Sequence, residues 1–254
     1  MRENNVRNIW AGGGYVVNAW LAIPNSFSAE QMAHTPFDSV TVDMQHGMVD
    51  FQAAVPMLQA ISTTDKTPLA RVPWNDPIPI MKILDAGAYG VICPMVNNRA
   101  EAERFVGACR YAPDGYRSLG PPRGVLYGGP DYVERANDTV LTFAMIETEE
   151  AMGNLDEIMS TPGLDAIYVG PNDLSLSLGY RPSPDPSEPA VLEAIETIAQ
   201  AAERNGVVAS IHCASGDMVK RMVARGYRFC TIANEIRLMA MKAAEEVAVA
   251  REND

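Results

Sequence analysis

The residues of this chain best suited to chemistry are a few ionisable side chains, each standing where a short apolar run stops. In "SVTVDMQHG" (39–47), alternating β-branched sequence runs into Asp43 and His46 before a glycine breaks the pattern. A histidine with an ordinary pKa near ~6.5 can move protons at neutral pH, although a lone histidine is more often structural. "LARVP" carries Arg71 to its exit, "FAMIE" ends in Glu147, and "AIYVGPND" passes through Gly170 and Pro171 to Asp173. "SIHC" ends at His212 and "IANE" at Glu235. Each has a plain structural alternative. Arg71 could serve a salt bridge, Glu147 could cap the next helix, Asp173 could be an N-cap, and His212 could be a satisfied core histidine. Their joint occurrence argues for function, because charges taken out of water are costly unless paired or metal-bound. Two carboxylates ending consecutive strands, with water and a chelating ligand in the other positions, suit Mg²⁺ and similar hard cations. A zinc site built wholly from protein is disfavoured, since no His or Cys joins them at the usual spacing.

The elements that must position these side chains alternate along the whole chain. Strand-like runs occur at 16–23, 39–44, 68–73, 90–96, 140–147, 164–170, 207–213 and 228–234, each followed by an amphipathic stretch. Ser28 is expected to cap the first such helix and Asp50 the second, while Pro77 starts the third and Gly87 ends it. The Gly/Pro-rich segment 112–131 shows no periodicity and reads as a long loop, and 180–189 as a Pro-rich connector. A crossover helix returns the chain in the same direction, so the strands must be parallel. Eight such units in 254 residues predict an α/β fold, a single-domain (β/α)₈ barrel over 1–254. The runner-up, a doubly wound open sheet, lacks a GxGxxG after the first strand; "GGGY" (12–15) precedes that strand. In such a barrel the working groups lie at the C-terminal strand ends, where the residues above fall.

Composition narrows the partners. With 47 % hydrophobic residues and 20 % charged, the chain is an ordinary globular one. A net charge of −12 argues against nucleic acid or anionic membrane as partners. The first residues, "MRENNVRNIWAGGG", lack the apolar core of a signal peptide, and no apolar run reaches the ~20 residues of a membrane span. Cys93, Cys109, Cys213 and Cys230 form no CxxC pair, which reads as reduced thiols in a cytoplasmic protein.

Five blocks, "DMQHG", "LARVPWNDPIPIMKILDAGAYGVICPMV", "YAPDGYRSLG", "MIETEEAMGNLDEI" and "IYVGPNDLSLSLG", in this order resemble the HpcH/HpaI aldolase family. The resemblance covers about residues 15–180 and, more loosely, the rest. It implies a (β/α)₈ barrel assembled as a hexamer, a trimer of dimers that exchange the C-terminal helix, about 236–252. It implies a class II aldolase, dependent on a divalent cation such as Mg²⁺, Mn²⁺ or Co²⁺, that cleaves 4-hydroxy-2-oxo acids to an aldehyde and pyruvate or a related 2-oxo acid such as hydroxypyruvate.

Carried over residue by residue, Glu147 and Asp173 become metal ligands, His46 part of the proton-transfer machinery, and Arg71 the cation beside the developing enolate. Asp43 and Asp85 would raise the basicity of His46. Asp85, at the far end of its helix, would need another subunit or an unusual path to reach it. Asn172 would offer its backbone N–H to the substrate carboxylate, and Trp20 would wall the pocket. Met145 departs from the pattern, standing where many members carry a glutamine that hydrogen-bonds the oxo acid. The logic is that of an enolate: a Lewis-acidic cation and a fixed positive charge stabilise it and a histidine shuttles the proton. No lysine stands at the ends of "MIE" or "VGPND", which disfavours Schiff-base chemistry. The alternatives are a CoA-ester carbon–carbon lyase of the citrate lyase β or malyl-CoA lyase type, with only Arg117 and Arg123 of the long loop for the CoA phosphates, and an oxaloacetate decarboxylase on the same scaffold. A phosphate-binding barrel isomerase is disfavoured, because "HCASG" and "IANEI" do not resemble phosphate loops.

Overall fold

A computed structural model describes residues 1–251 of the chain. The elements run α1 (Asn5–Ala11), β1 (Val16–Leu21), α2 (Ser26–Ala33), β2 (Ser39–Asp43), α3 (Phe51–Ile61), β3 (Thr67–Arg71), α4 (Pro77–Asp85), β4 (Gly90–Cys93) and α5 (Arg99–Cys109). They continue as α6 (Pro122–Gly128), α7 (Tyr132–Thr139), β5 (Leu141–Ile146), α8 (Glu149–Gly153), α9 (Leu155–Met159), β6 (Ala166–Val169) and α10 (Pro171–Ser177). The chain closes with α11 (Pro189–Asn205), β7 (Val208–Cys213), α12 (Gly216–Ala224), β8 (Phe229–Ile232) and α13 (Glu235–Arg251). The eight strands form a closed barrel in sequence order, every pairing parallel, as the alternating pattern predicts.

Strand alternation creates two apolar layers. Trp20, Leu69, Ile92, Phe143, Met145, Tyr168 and Phe229 fill the barrel interior. Their immediate neighbours, such as Leu21, Ala70, Ala144, Val169 and Cys230, pack outward beneath the helices. Because side chains alternate with a period of two, a one-residue slip would exchange the layers. Asp43, Arg71, Tyr168 and His212 share the inward parity of Trp20, Leu69 and Met145, and so project into the barrel mouth.

Local chemistry sets most boundaries. Asn98, Asp50, Asp76, Thr148 and Ser215 cap their helices by accepting the N–H two or three residues on. For α2 the cap is Asn25 and not Ser28; Ser28 supplies the N–H that the Asn25 side chain accepts. Three helices, α1, α6 and α7, lie where the sequence pattern predicts none. Helix α1 closes the N-terminal barrel mouth, with Trp10 packed edge-on against Phe143 and Phe229. The segment expected to be one long loop contains α6. All four cysteines are free and buried. No helix among the described residues is long and apolar enough to cross a membrane. The expected C-terminal helix is present as α13 up to Arg251, and its last expected position, 252, lies outside the described residues.

Candidate active site

The C-terminal strand ends enclose a cavity of about 210 Å³ lined by Trp20, Asp43, His46, Arg71, Met145, Tyr168, Asn172, Asp173 and His212, among others. Asp43, at the end of β2 and 3 % exposed, organises one side of it. Register places it opposite Arg71 on β3. The two form a fork-to-fork pair, with Arg71 Nε donating to Oδ1 at 2.8 Å and Nη2 to Oδ2 at 2.6 Å. Trp20 Nε1 also donates to Oδ2, at 3.1 Å, and the backbone N–H groups of Gln45 and His46 donate to Oδ1 at 3.0 and 3.3 Å. Burial pushes the Asp43 pKa up, but the Arg71 hydrogen bonds and charge outweigh it, so the carboxyl stays below its ordinary value. The result is a guanidinium held in one orientation, its carbon 4.8 Å from the centre of the Trp20 ring.

This network also assigns Asp43 its contacts. It holds the His46 backbone, and no hydrogen bond joins its carboxylate to the His46 ring among the described residues. His46 stands exposed at the rim, free to meet a substrate. Asp85, at the end of α4, is outside this cavity; its carboxylate takes a hydrogen bond from Arg117 Nη2 at 2.8 Å. Arg117 is buried against Tyr111 and Tyr132, and Arg123 is tied to the Ala86 carbonyl and Ser62, so both arginines are already spent within the fold. Glu235 is structural as well: it accepts the Ala22 and Ile23 N–H groups at 2.6 and 2.7 Å, closing the β8–β1 seam.

On the far side, Glu147 follows β5 and is 3 % exposed, while Asp173 lies exposed in the first turn of α10. Glu147 Oε1 accepts the Met95 N–H at 2.9 Å. Met95 holds a left-handed backbone, φ +56°, unusual for a residue with a side chain and typical of strain kept at working sites. The other oxygen lies against Gly170, where a Cβ would come within 2.6 Å of it. Burial, reinforced by the Asp173 charge and opposed by the Met95 N–H and Arg71, raises the Glu147 pKa to about 7. A buried carboxylate beside a second one, with no cation paired to it, is a donor set that fits a hard divalent cation. No cluster of three or more His, Cys, Asp or Glu side chains suited to a metal occurs among the described residues, so protein would supply two ligands and leave the other positions open. Helix α10 begins at Pro171, which puts Asp173 inside the helix and excludes it as the N-cap.

The wall between these halves holds residues that sequence reasoning missed or left open. Trp20 stacks on Tyr168, centroids 5.6 Å apart at 29°, and meets the edge of His212 at 5.2 Å. The Tyr168 hydroxyl is 3.0 Å from His212 Nδ1. Burial foremost, and then the Arg71 charge, lowers the His212 pKa to about 4, so the ring is neutral at physiological pH. Tyr168 was detectable in principle, since it stands two residues before Gly170 and shares its inward parity.

A closed parallel barrel with its ionisable groups gathered at the C-terminal strand ends defines an enzyme of the (β/α)₈ class. The chain belongs to the HpcH/HpaI aldolase/citrate lyase family, whose model matches residues 17–241. It is 42 % identical over 248 residues to a hydroxypyruvate/pyruvate aldolase of Rhizorhabdus wittichii, covering 98 % of this chain and 99 % of that protein. It is 35 % identical to a 4-hydroxy-2-oxo-heptane-1,7-dioate aldolase of Escherichia coli, covering 97 % and 94 %. A crystal structure of a HpcH/HpaI aldolase/citrate lyase family protein from Burkholderia cenocepacia superposes with a TM-score of 0.91 at 26 % identity, covering 97 % of this chain and 98 % of that one.

Proposed function

We propose that this protein is a divalent-metal-dependent class II aldolase that reversibly cleaves 4-hydroxy-2-oxo acids to an aldehyde and pyruvate or hydroxypyruvate. The observation that carries the reading is a buried Glu147, set behind Gly170 and under the charge of Asp173, next to a cavity that Asp173 lines together with an Arg71 locked onto Asp43. Full-length similarity to two aldolases supports the same class of carbon–carbon lyase.

Glu147 and Asp173 would hold the cation, Mg²⁺, Mn²⁺ or Co²⁺. Once bound, it would supply Lewis acidity toward the 2-oxo group. Arg71 needs no reorganisation to face negative charge developing on the substrate, because Asp43 and Trp20 already fix its plane. The Asn172 backbone N–H, in the first turn of α10, would receive the substrate carboxylate. His46, whose side chain is exposed at the rim, takes or returns the proton as the carbon–carbon bond forms or breaks. Trp20 walls the site, and Met145, 2 % exposed, leaves an apolar surface where a glutamine would have offered a hydrogen bond. Asp85, tied to Arg117 and outside the cavity, would raise the basicity of His46 only from a neighbouring subunit. The assembly would be a hexamer, a trimer of dimers exchanging α13, a reading supported by how little of that helix the barrel covers. The four free buried thiols suit a cytoplasmic location.

A retro-aldol assay over a panel of 4-hydroxy-2-oxo acids, with Mg²⁺, Mn²⁺ and Co²⁺ each restored after chelation, tests the reading. Glu147→Ala and Asp173→Ala are expected to abolish turnover together with calorimetric metal binding. His46→Ala should slow pyruvate proton exchange while leaving metal affinity nearly unchanged. Turnover that survives chelation would sink the scheme.

A further inference from the structure

One polar wall of the cavity takes no part in the chemistry above. His212 Nδ1 lies 3.0 Å from the Tyr168 hydroxyl, which lies 2.8 Å from Thr231 Oγ1. Thr231 accepts a hydrogen bond from Asn18 Nδ2 at 3.0 Å, and the Ser39 and Thr41 hydroxyls donate to Asn18 Oδ1 at 2.8 and 3.1 Å. This buried chain crosses the barrel interior from β7 through β6, β8 and β1 to β2, and it fixes the plane of the imidazole. The ring is further clamped against Trp20. The Tyr168 contact takes Nδ1, and the half-buried ring lines the cavity with the Ala233 backbone beside it.

The position of the ring points to what its other nitrogen, Nε2, meets. Arg71 and His212 both lie on the single Trp20 indole, the guanidinium carbon 4.8 Å and the imidazole centre 5.2 Å from its ring. In the aldolase reading Arg71 faces the reacting end of the substrate, and the imidazole shares the Trp20 wall with it. A neutral imidazole nitrogen is either a donor or an acceptor, according to tautomer. A hydroxyl is both, and satisfies Nε2 in either state. A methyl group satisfies it in neither, and would strip water from a polar atom without replacing the bond.

We propose that His212 is a specificity-determining residue whose Nε2 hydrogen-bonds a hydroxyl on the carbon next to the 2-oxo group, so that the site favours 3-hydroxy-2-oxo acids over their 3-methyl and unsubstituted analogues. The inference rests on the aldolase reading for the placement of the 2-oxo acid. Sites built to pair a substrate hydroxyl reject analogues lacking it far more strongly than apolar pockets discriminate by size.

The test uses the full chain loaded with Mn²⁺. Hydroxypyruvate, pyruvate and 2-oxobutanoate (which carries a methyl where hydroxypyruvate carries its hydroxyl) are compared by calorimetric Kd, and by kcat/KM for addition to glycolaldehyde. Wild type is expected to bind hydroxypyruvate about 10-fold or more tighter than 2-oxobutanoate, the effect of one satisfied polar contact. His212→Phe, which keeps the ring against Trp20, should erase that preference while moving pyruvate by less than about threefold. His212→Gln, retaining a donor and an acceptor, should restore part of it. No preference for hydroxypyruvate over 2-oxobutanoate in wild type would overturn the proposal whatever the variants do. So would an equal loss for all three acids in a folded His212→Phe. If binding shows the His212-dependent preference but no carbon–carbon bond is made or broken, the aldolase reading falls and this inference stands. If aldol addition proceeds with a preference indifferent to His212, the reverse holds.

Discussion

At the scale of single residues, the two sides of the cavity show how environment divides roles among similar groups. Asp43 and Glu147 are equally buried, at 3 % exposure, yet one is held below the ordinary carboxylate range by Arg71 and the other is raised to about 7. The former stays charged and orients a guanidinium, while the latter, in the proposed function, would receive a cation. His212 extends the contrast to a base. In an unfolded chain it takes a proton near pH ~6.5, whereas in the fold burial, and then Arg71, delays protonation to about 4. Between these values the unfolded state binds more protons, so the native state loses stability as pH falls from about 6.5 to about 4. Urea unfolding of wild type and His212→Phe at pH 7, 5.5 and 4.5 checks this. The variant is expected to lose less of its stability over that window than wild type, and equal slopes would contradict the assignment.

At the scale of elements, glycines carry much of the design, and they explain one misreading. Gly170 joins β6 to α10, and its missing side chain makes room for the Glu147 carboxylate. Gly170→Ala is expected to leave the fold intact, because φ is −98° and suits any residue. It should displace Glu147 and weaken metal binding by roughly 10- to 100-fold, the usual effect of disturbing a ligand's support. Titration of the metal alone, followed by calorimetry, reads this out, and unchanged affinity would remove Glu147 from the ligand set. In segment 112–131 the glycines looked like loop markers. Gly124 and Gly128 instead sit inside α6, where a Cβ would come within 3.0 and 2.5 Å of the Tyr132 ring. They permit close packing, and that purpose depends on a residue in the next helix, so no local pattern could show it.

At the scale of the whole molecule, the barrel is closed at its N-terminal end by α1 and open at the other, while α13 stands apart. Of α13, only Glu235 is buried, and Ile236, Met239, Met241, Val247 and Val249 are all exposed. A seventeen-residue helix with so much apolar surface on solvent is poorly stabilised alone. Deleting residues 240–254 is therefore expected to reduce the mass of the assembly, as measured by light scattering, and to lower Tm. A wild-type mass of 27.6 kDa, that of one chain, would show that α13 needs no second copy.

What the sequence by itself determined was the order and type of nearly every barrel element, and the set of strand ends carrying charge. Period-two alternation, β-branched runs and capping residues act over a few residues and are legible there. Asp43, Arg71, Asp173 and His46 could be placed on one rim from strand order alone. Only the tertiary structure decided which partners those groups take. Asp43 went to Arg71 and Trp20, Asp85 went to Arg117, Arg117 was buried, and Arg123 was tied to Ala86 and Ser62. Tyr168 and His212 joined through a hydrogen-bond chain spanning five strands. Such pairings are set by register and by the inward or outward parity of residues far apart in sequence. They exist only once the barrel has closed.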